Sequence, residues 1–180
     1  MKLYGSPTSP YVRKARVLIH EKNMPVEFIV EDPWVEDSPI IIKNPLSKVP
    51  ALEIGTDSYM FESVLVVHYL DHADGKSFTP RDPAGYWQSQ WWQALGQGII
   101  DAGIARVFET RRPTEKQMPE KMTREEQRIA RAIDLLVNDP DRARRMGENG
   151  RAAIRDRYNW SAEERKLLRL YGELPIETRA

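Results

Sequence analysis

The apolar positions change period along this chain, and each change marks an element. Lys2-Leu3-Tyr4 is a short strand signal, and the Gly, Ser and Pro residues of Gly5-Ser6-Pro7-Thr8-Ser9-Pro10 make a turn behind it. Val12, Ala15, Val17, Ile19 and His20 then carry a helical period, with Arg13, Lys14 and Glu21 on the wetter side. Pro10 suits a first helical turn, where its missing N–H costs nothing. Ser9 can cap that helix or, with the N–H groups around it, meet an anion. Lys22-Asn23-Met24-Pro25 closes the helix, and residues 26–30 alternate as a strand. Ile40-Ile41-Ile42 fits either a strand or a short helix before Asn44-Pro45. Residues 46–54 read as a loop entering a strand, and the turn 55–58 with Tyr59-Met60-Phe61 completes a hairpin. Glu62-Ser63 opens another helix, running through residues 64–71.

Beyond residues 74–80 strand signals stop. Asp82-Pro83 begins a long helical region through Trp87, Trp91, Leu95, Ile99, Ala102 and Arg106, in which Gly96, Gly98 and Gly103 would permit close helix packing. Residues 110–121 form a charged loop. Thr123-Arg124-Glu125-Glu126 has the form of a capping box introducing Ile129, Ile133, Leu136 and Val137. Asp139-Pro140-Asp141 and Trp160-Ser161-Ala162-Glu163 start two further helices. The element order predicts a small mixed sheet covered by helices over residues 1–76, then an all-helical domain over 82–176.

The composition, 41% hydrophobic and 30% charged over 180 residues, suits a globular protein. Its 27 basic and 27 acidic residues balance, so no bulk attraction to nucleic acid or anionic membrane is expected. The absence of cysteine excludes disulfides, thiolate catalysis and thiolate metal sites within the chain. Any thiol chemistry needs a thiol carried by a ligand. His68 and His72, four apart, can face one metal ion, but no third ligand has a motif spacing around them, so they read as a solvated pair and no metal is expected. Neither a signal-peptide core nor a membrane-length apolar window is present, and a cytoplasmic protein is expected.

Three stretches together resemble the glutathione transferase family: residues 4–14 around Gly5-Ser6-Pro7-Thr8-Ser9-Pro10, residues 44–52 around Lys48-Val49-Pro50, and Phe61-Glu62-Ser63. The resemblance implies an α/β thioredoxin-like N-terminal domain followed by an all-α domain, usually in a homodimer. It also implies conjugation of glutathione, as cosubstrate, to small apolar electrophiles in detoxification. A noncatalytic glutathione-binding or protein-interaction member is the alternative. Carried over by position, Val49-Pro50 is the cis-proline junction whose backbone meets the cysteinyl part of glutathione. Glu62 and Ser63 hold the γ-glutamyl end, and Lys48 supports the glycyl carboxylate. Ser9 stabilises the sulfur through its hydroxyl or its N–H, with Thr8 as competitor. Tyr11, Trp91, Trp92, Gly98, Arg106 and Phe108 are candidates for the electrophile pocket. Without a cysteine at Ser6 or Ser9, a mixed disulfide with the protein is impossible, which argues against the cysteine-dependent branches.

After about residue 138 the chain departs from this family. Asn138 to Arg151, with Arg157-Tyr158-Asn159-Trp160, is similar instead to the terminal helices of GT-B glycosyltransferases, although no glycosyltransferase body precedes it.

Overall fold

Successive side chains of a strand point to opposite faces, and in β1 (Lys2–Gly5) this sends Leu3 and Tyr4 into two different cores. The computed structural model describes residues 1–141, 144 and 148. Its sheet has the order β2 (Glu27–Val30), β1, β3 (Ala51–Gly55), β4 (Ser58–Phe61). β1 and β2 are parallel and joined through α1 (Pro10–Glu21), whereas β3 is antiparallel to both β1 and β4. On one face, Leu3 and Leu52 pack against Val12, Ala15 and Ile19 of α1 and Val66 and Leu70 of α3 (Ser63–His72). On the other face, Tyr4 and Ala51 meet Ile40, which settles the triple-isoleucine segment as a short helix, α2 (Ile40–Lys43).

The long helix, α4 (Pro83–Thr110, 28 residues), begins where Asp82 accepts from the Gly85 N–H at 2.8 Å. The helix entry predicted at Thr123 is a correction: α5 (Pro119–Val137) begins four residues earlier. The N–H of Met118, just ahead of it, finds its acceptor outside the helix. Glu109, buried near the end of α4, accepts from the Met118 N–H at 2.9 Å and pairs with Lys121 at 3.0 Å. A carboxylate from a neighbouring helix thus does the work assigned to the capping box, and a short 3-10 turn at Thr114–Lys116 occupies the intervening loop. Among the described residues, a Cβ at Gly96, Gly98 or Gly103 would meet nothing within 4 Å.

The order of elements is therefore an α/β thioredoxin-like region followed by helices alone. By contacts the chain divides into two compact units, Met1–Ile129 and Ala130–Ala180. In the second, Pro140, Asp141, Arg144 and Glu148 are helical, consistent with a helix starting at Asp139-Pro140. The Trp160-led helix, and most of the stretch where a likeness to glycosyltransferase helices is expected, lie outside the described residues. Among the described residues no helix is long and apolar enough to cross a membrane.

Candidate functional site

Register brings three separate stretches to one end of the sheet. Tyr4 pairs with Ala51, and Ala51 with Phe61, so the next residues outward are Gly5, Pro50 and Glu62 on adjacent strands. With neighbouring strands about 4.8 Å apart, the opening turn and Glu62 are separated by about 10 Å, with Val49-Pro50 between them. Two helices also start there. Ser9 caps α1 and Glu62 caps α3, so both present N-terminal N–H groups to the same edge.

Ser9 is the N-cap its sequence suggested. Its Oγ accepts from the Val12 N–H at 3.4 Å, and its own N–H is spent on the Ser6 carbonyl at 3.1 Å. Capping uses a lone pair and leaves the hydroxyl proton to donate outward. The hydroxyl rather than the backbone N–H is thus the donor this residue has to offer. Thr8 shares its hydroxyl with Ser6 Oγ at 3.0 Å.

Val49-Pro50 is a cis peptide. The loop before it is shaped by Asn44, which sequence reasoning left without a role. Asn44 is 1% exposed, donates from Nδ2 to the Lys48 carbonyl at 2.7 Å, and accepts at Oδ1 from the Leu46 N–H at 3.0 Å. The second bond is the side-chain turn that asparagine commonly makes two residues on, and the Asn-Pro dipeptide was its signal. Lys48 itself is exposed.

Glu62 sits at φ 71°, ψ 118°, a conformation costly for any residue with a side chain. Its carboxylate accepts from the Val64 N–H at 3.2 Å and lies 3.5 Å from the hydroxyl of Ser63, which is itself buried. The pair therefore sets a carboxylate and, one residue on, a hydroxyl at the start of a helix. A zwitterionic amino-acid end needs both.

On the α4 side, Tyr11 donates to Asp101 at 2.8 Å and Lys14 to Gln97 at 2.6 Å, while Gln97 donates to Asp101 at 3.0 Å. Burial, then the Asp101 hydrogen bond, raises the Tyr11 hydroxyl pKa, so Tyr11 stays a neutral donor. Burial lowers the Lys14 pKa, with Glu62 and Asp101 acting against that shift. Phe108 lies about two turns beyond Asp101 on the same stripe, its ring 5.5 Å from that of Trp34 in an edge-to-face contact. Arg106, about half a turn around the helix from Gln97, pairs with Glu126 of α5 at 2.8 Å. Trp91 and Trp92 contact each other edge-to-face at 4.6 Å, Trp91 just over a quarter of a turn off the stripe and Trp92 nearly half a turn. Tyr11 and Phe108 are thus brought to the α1-facing side of α4, and Arg106 is not.

A cleft of about 240 Å³ lies elsewhere, between the end of α3 and the start of α4, lined by His72, Arg81 and Tyr86 among others. It belongs to the opposite end of α3 from Ser63. The His68 and His72 ring centroids lie 4.5 Å apart with the rings tilted by 41°, and His72 Nδ1 contacts the His68 carbonyl at 2.9 Å. Among the described residues no group of three or more His, Asp or Glu side chains is placed to hold a metal ion.

The amino-terminal domain model of glutathione S-transferases matches residues 3–78. The GST-like protein YibF of Escherichia coli is 37% identical over 137 residues, covering 76% of this chain and 68% of that protein. A crystal structure of a Methylobacillus flagellatus glutathione S-transferase with glutathione bound superposes with a TM-score of 0.73. It is 32% identical, over 77% of this chain and 69% of that one. A glutathione transferase family member from Pseudomonas fluorescens, also with glutathione bound, has a TM-score of 0.67 at 31% identity, over 75% and 69%.

Proposed function

The chain belongs to the glutathione transferase family, and from that premise we propose that it binds glutathione across Ser9, Val49 and Glu62-Ser63 and transfers its thiolate to small apolar electrophiles. One observation carries the reading: strand register aligns the opening turn, Pro50 and Glu62 at one sheet edge, across about the length of a short peptide. Glu62 accepts from the γ-glutamyl ammonium, and the Ser63 hydroxyl and N–H donate to the adjoining carboxylate, aided by the positive end of α3. The Val49 backbone pairs with the cysteinyl unit, and Lys48 reaches the glycyl carboxylate. The Ser9 hydroxyl donates to sulfur and favours the thiolate over the thiol, with Thr8 in a secondary place because Ser6 shares its hydroxyl.

In the reaction the sulfur lone pair forms the new S–C bond. The leaving group departs with its electron pair, and the thiol proton goes to solvent. The protein supplies sulfur activation and orientation. The electrophile enters along α4 between Tyr11 and Phe108. The reading extends to a homodimer, for which exposed Leu65 and Trp87 offer apolar surface.

Titration calorimetry with glutathione tests the binding half. The intact protein should bind, and Ser63→Ala should bind about tenfold or more weakly, since a hydrogen bond to a charged group contributes roughly 1.5–3 kcal/mol. No heat up to millimolar glutathione would overturn the reading. Binding without conjugation of any electrophile would favour the noncatalytic alternative.

A further inference from the structure

The cleft between the end of α3 and the start of α4 lies about 14 Å along α3 from Ser63 and takes no part in the glutathione reading. Its volume is about 240 Å³, and His72, Ser77, Thr79, Arg81 and Tyr86 line it. The carboxylates around it are all engaged. Asp71 accepts from the Ser77 hydroxyl at 2.6 Å, the Phe78 N–H at 2.8 Å and the Thr79 N–H at 3.1 Å, and Lys22 lies 3.6 Å from it. Lys22 also pairs with Asp74 at 2.7 Å, and Asp82 accepts from the Gly85 N–H at 2.8 Å. The donors, by contrast, are open. Arg81 has one contact among the described residues, from Nη2 to the Gly75 carbonyl at 3.4 Å, and no carboxylate partner. The Thr79 and Tyr86 hydroxyls have no hydrogen-bond partner among the described residues. His72 carries its proton on Nδ1, facing the His68 carbonyl, so its Nε2 is the nitrogen that can gain one. The Tyr86 ring is held edge-to-face by Trp87 at 5.2 Å and by His68 at 6.5 Å.

We propose that this cleft binds a small phosphate monoester, with Arg81, Thr79 and the Tyr86 hydroxyl on its phosphoryl oxygen atoms and its organic part along the His72 and Tyr86 rings. Open donors beside engaged acceptors select an anion, and a guanidinium without a carboxylate partner has its planar fork to offer. The donor set decides between anions. A guanidinium fork, two hydroxyls and an imidazole ask for more acceptor oxygen than the two atoms of a carboxylate, and a phosphoryl group brings three. The two rings give the organic part an apolar surface to lie on. No residue of the glutathione cradle takes part, so the site stands or falls independently of the transferase reading.

The test is an amide resonance titration of the full chain, without glutathione, using phenyl phosphate as the probe. Amides of residues 75–86 should shift saturably while those of Ser9 and Ser63 stay in place. Arg81→Gln should weaken binding about tenfold, since it removes charge-assisted hydrogen bonds, and Thr79→Val about threefold. Arg111→Gln, an exposed arginine at the far end of α4, should leave it unchanged. Inorganic phosphate, which lacks the organic part, and benzoate, which lacks the phosphoryl group, should each bind several-fold more weakly than phenyl phosphate. No saturable shift up to about 10 mM phenyl phosphate overturns the proposal. So do shifts centred on Ser9 and Ser63, or equal loss in the two arginine variants. Benzoate or inorganic phosphate binding as tightly as phenyl phosphate overturns the assignment to a phosphate monoester. Arg81 is exposed and valine matches threonine in shape, so both variants keep the fold, which a thermal melt verifies.

Discussion

A single methyl group at Gly5 probes how tightly the site is tied to the core. A Cβ there would lie 2.5 Å from Val12 Cγ2, 3.1 Å from Cγ1 and 3.4 Å from Cβ. Carbon atoms rest at about 3.5–4.0 Å, so roughly 1 Å of movement is needed. Val12 has little room to give: it is fully buried among Leu3, Leu52 and Val66, and a valine in a helix holds one strongly preferred rotamer. The strain falls on the first turn of α1, which carries the Ser9 cap. Overpacking of this kind costs about 1–3 kcal/mol, which for a chain of this size lowers Tm by roughly 3–10 °C. Thermal and urea melts of Gly5→Ala measure it. Glutathione affinity should fall in the same variant, because moving the turn moves the sulfur donor. Val12→Ala alone should also destabilise, by about 1.5 kcal/mol or more for two buried methyl groups. Gly5→Ala with Val12→Ala restores volume, so the double variant should be more stable than the sum of the singles by about 0.5–3 kcal/mol. A Gly5→Ala protein within about 0.5 kcal/mol of wild type, or a strictly additive double variant, would refute the contact as the cause.

Glu62→Gly should raise stability by about 1 kcal/mol, since it relieves a strained φ and glycine costs only a few tenths as an N-cap, yet it should abolish glutathione binding; calorimetry and melts together read both signs. Asp71 is nearly buried, which alone would raise its pKa, but hydrogen bonds from the Ser77 hydroxyl and the Phe78 and Thr79 backbone lower it well below the usual carboxylate range. With the folded value below the unfolded one near 3.9, the stabilisation is fully present above about pH 4 and drains away as pH falls further. Melts from pH 7 to pH 3 should steepen below pH 4, and Asp71→Asn should be less stable at pH 7 by about 1–3 kcal/mol with a flatter acid limb. Glu109→Gln removes the charge that pairs with Lys121 and Arg112 at the start of α5; amide exchange there should accelerate while β1 and β3 stay protected.

Elements with a local cause were legible in the sequence. The β1 turn, Pro10 and the Ser9 cap follow from adjacent residues, and the Asp82-Pro83 entry of α4 did as well. A small mixed sheet covered by helices, then helices alone, followed from the order of those elements, and the thioredoxin-like assignment rested on the three motif stretches. What escaped were partners distant in sequence. Glu109 sets the start of α5 from another helix, so the local Thr-x-x-Glu pattern pointed four residues too far along. Lys22, 2% exposed in its side chain, reaches Asp74 at 2.7 Å and the Lys76 carbonyl at 2.7 Å, tying the end of α1 to the stretch after α3; its sequence context is only that of a helix end. At the site, the three motif stretches were visible singly, and the register that aligns them was not. The pocket residues on α4 differ for a simpler reason: a helix has several faces, and sequence spacing alone does not say which one meets α1. Gln97, Asp101 and Phe108 are on that face and Arg106 is turned toward α5.

In the proposed function the Ser9 hydroxyl, whose capping bond leaves its proton to donate outward, activates the sulfur of bound glutathione. Ultraviolet titration of the thiolate absorbance of bound glutathione, in the wild type and in Ser9→Ala, addresses it directly. A bound thiol pKa well below that of free glutathione is expected in the wild type, with its return upward in Ser9→Ala and binding retained. Bound glutathione titrating like the free thiol, or an equally lowered pKa in both proteins, would contradict it.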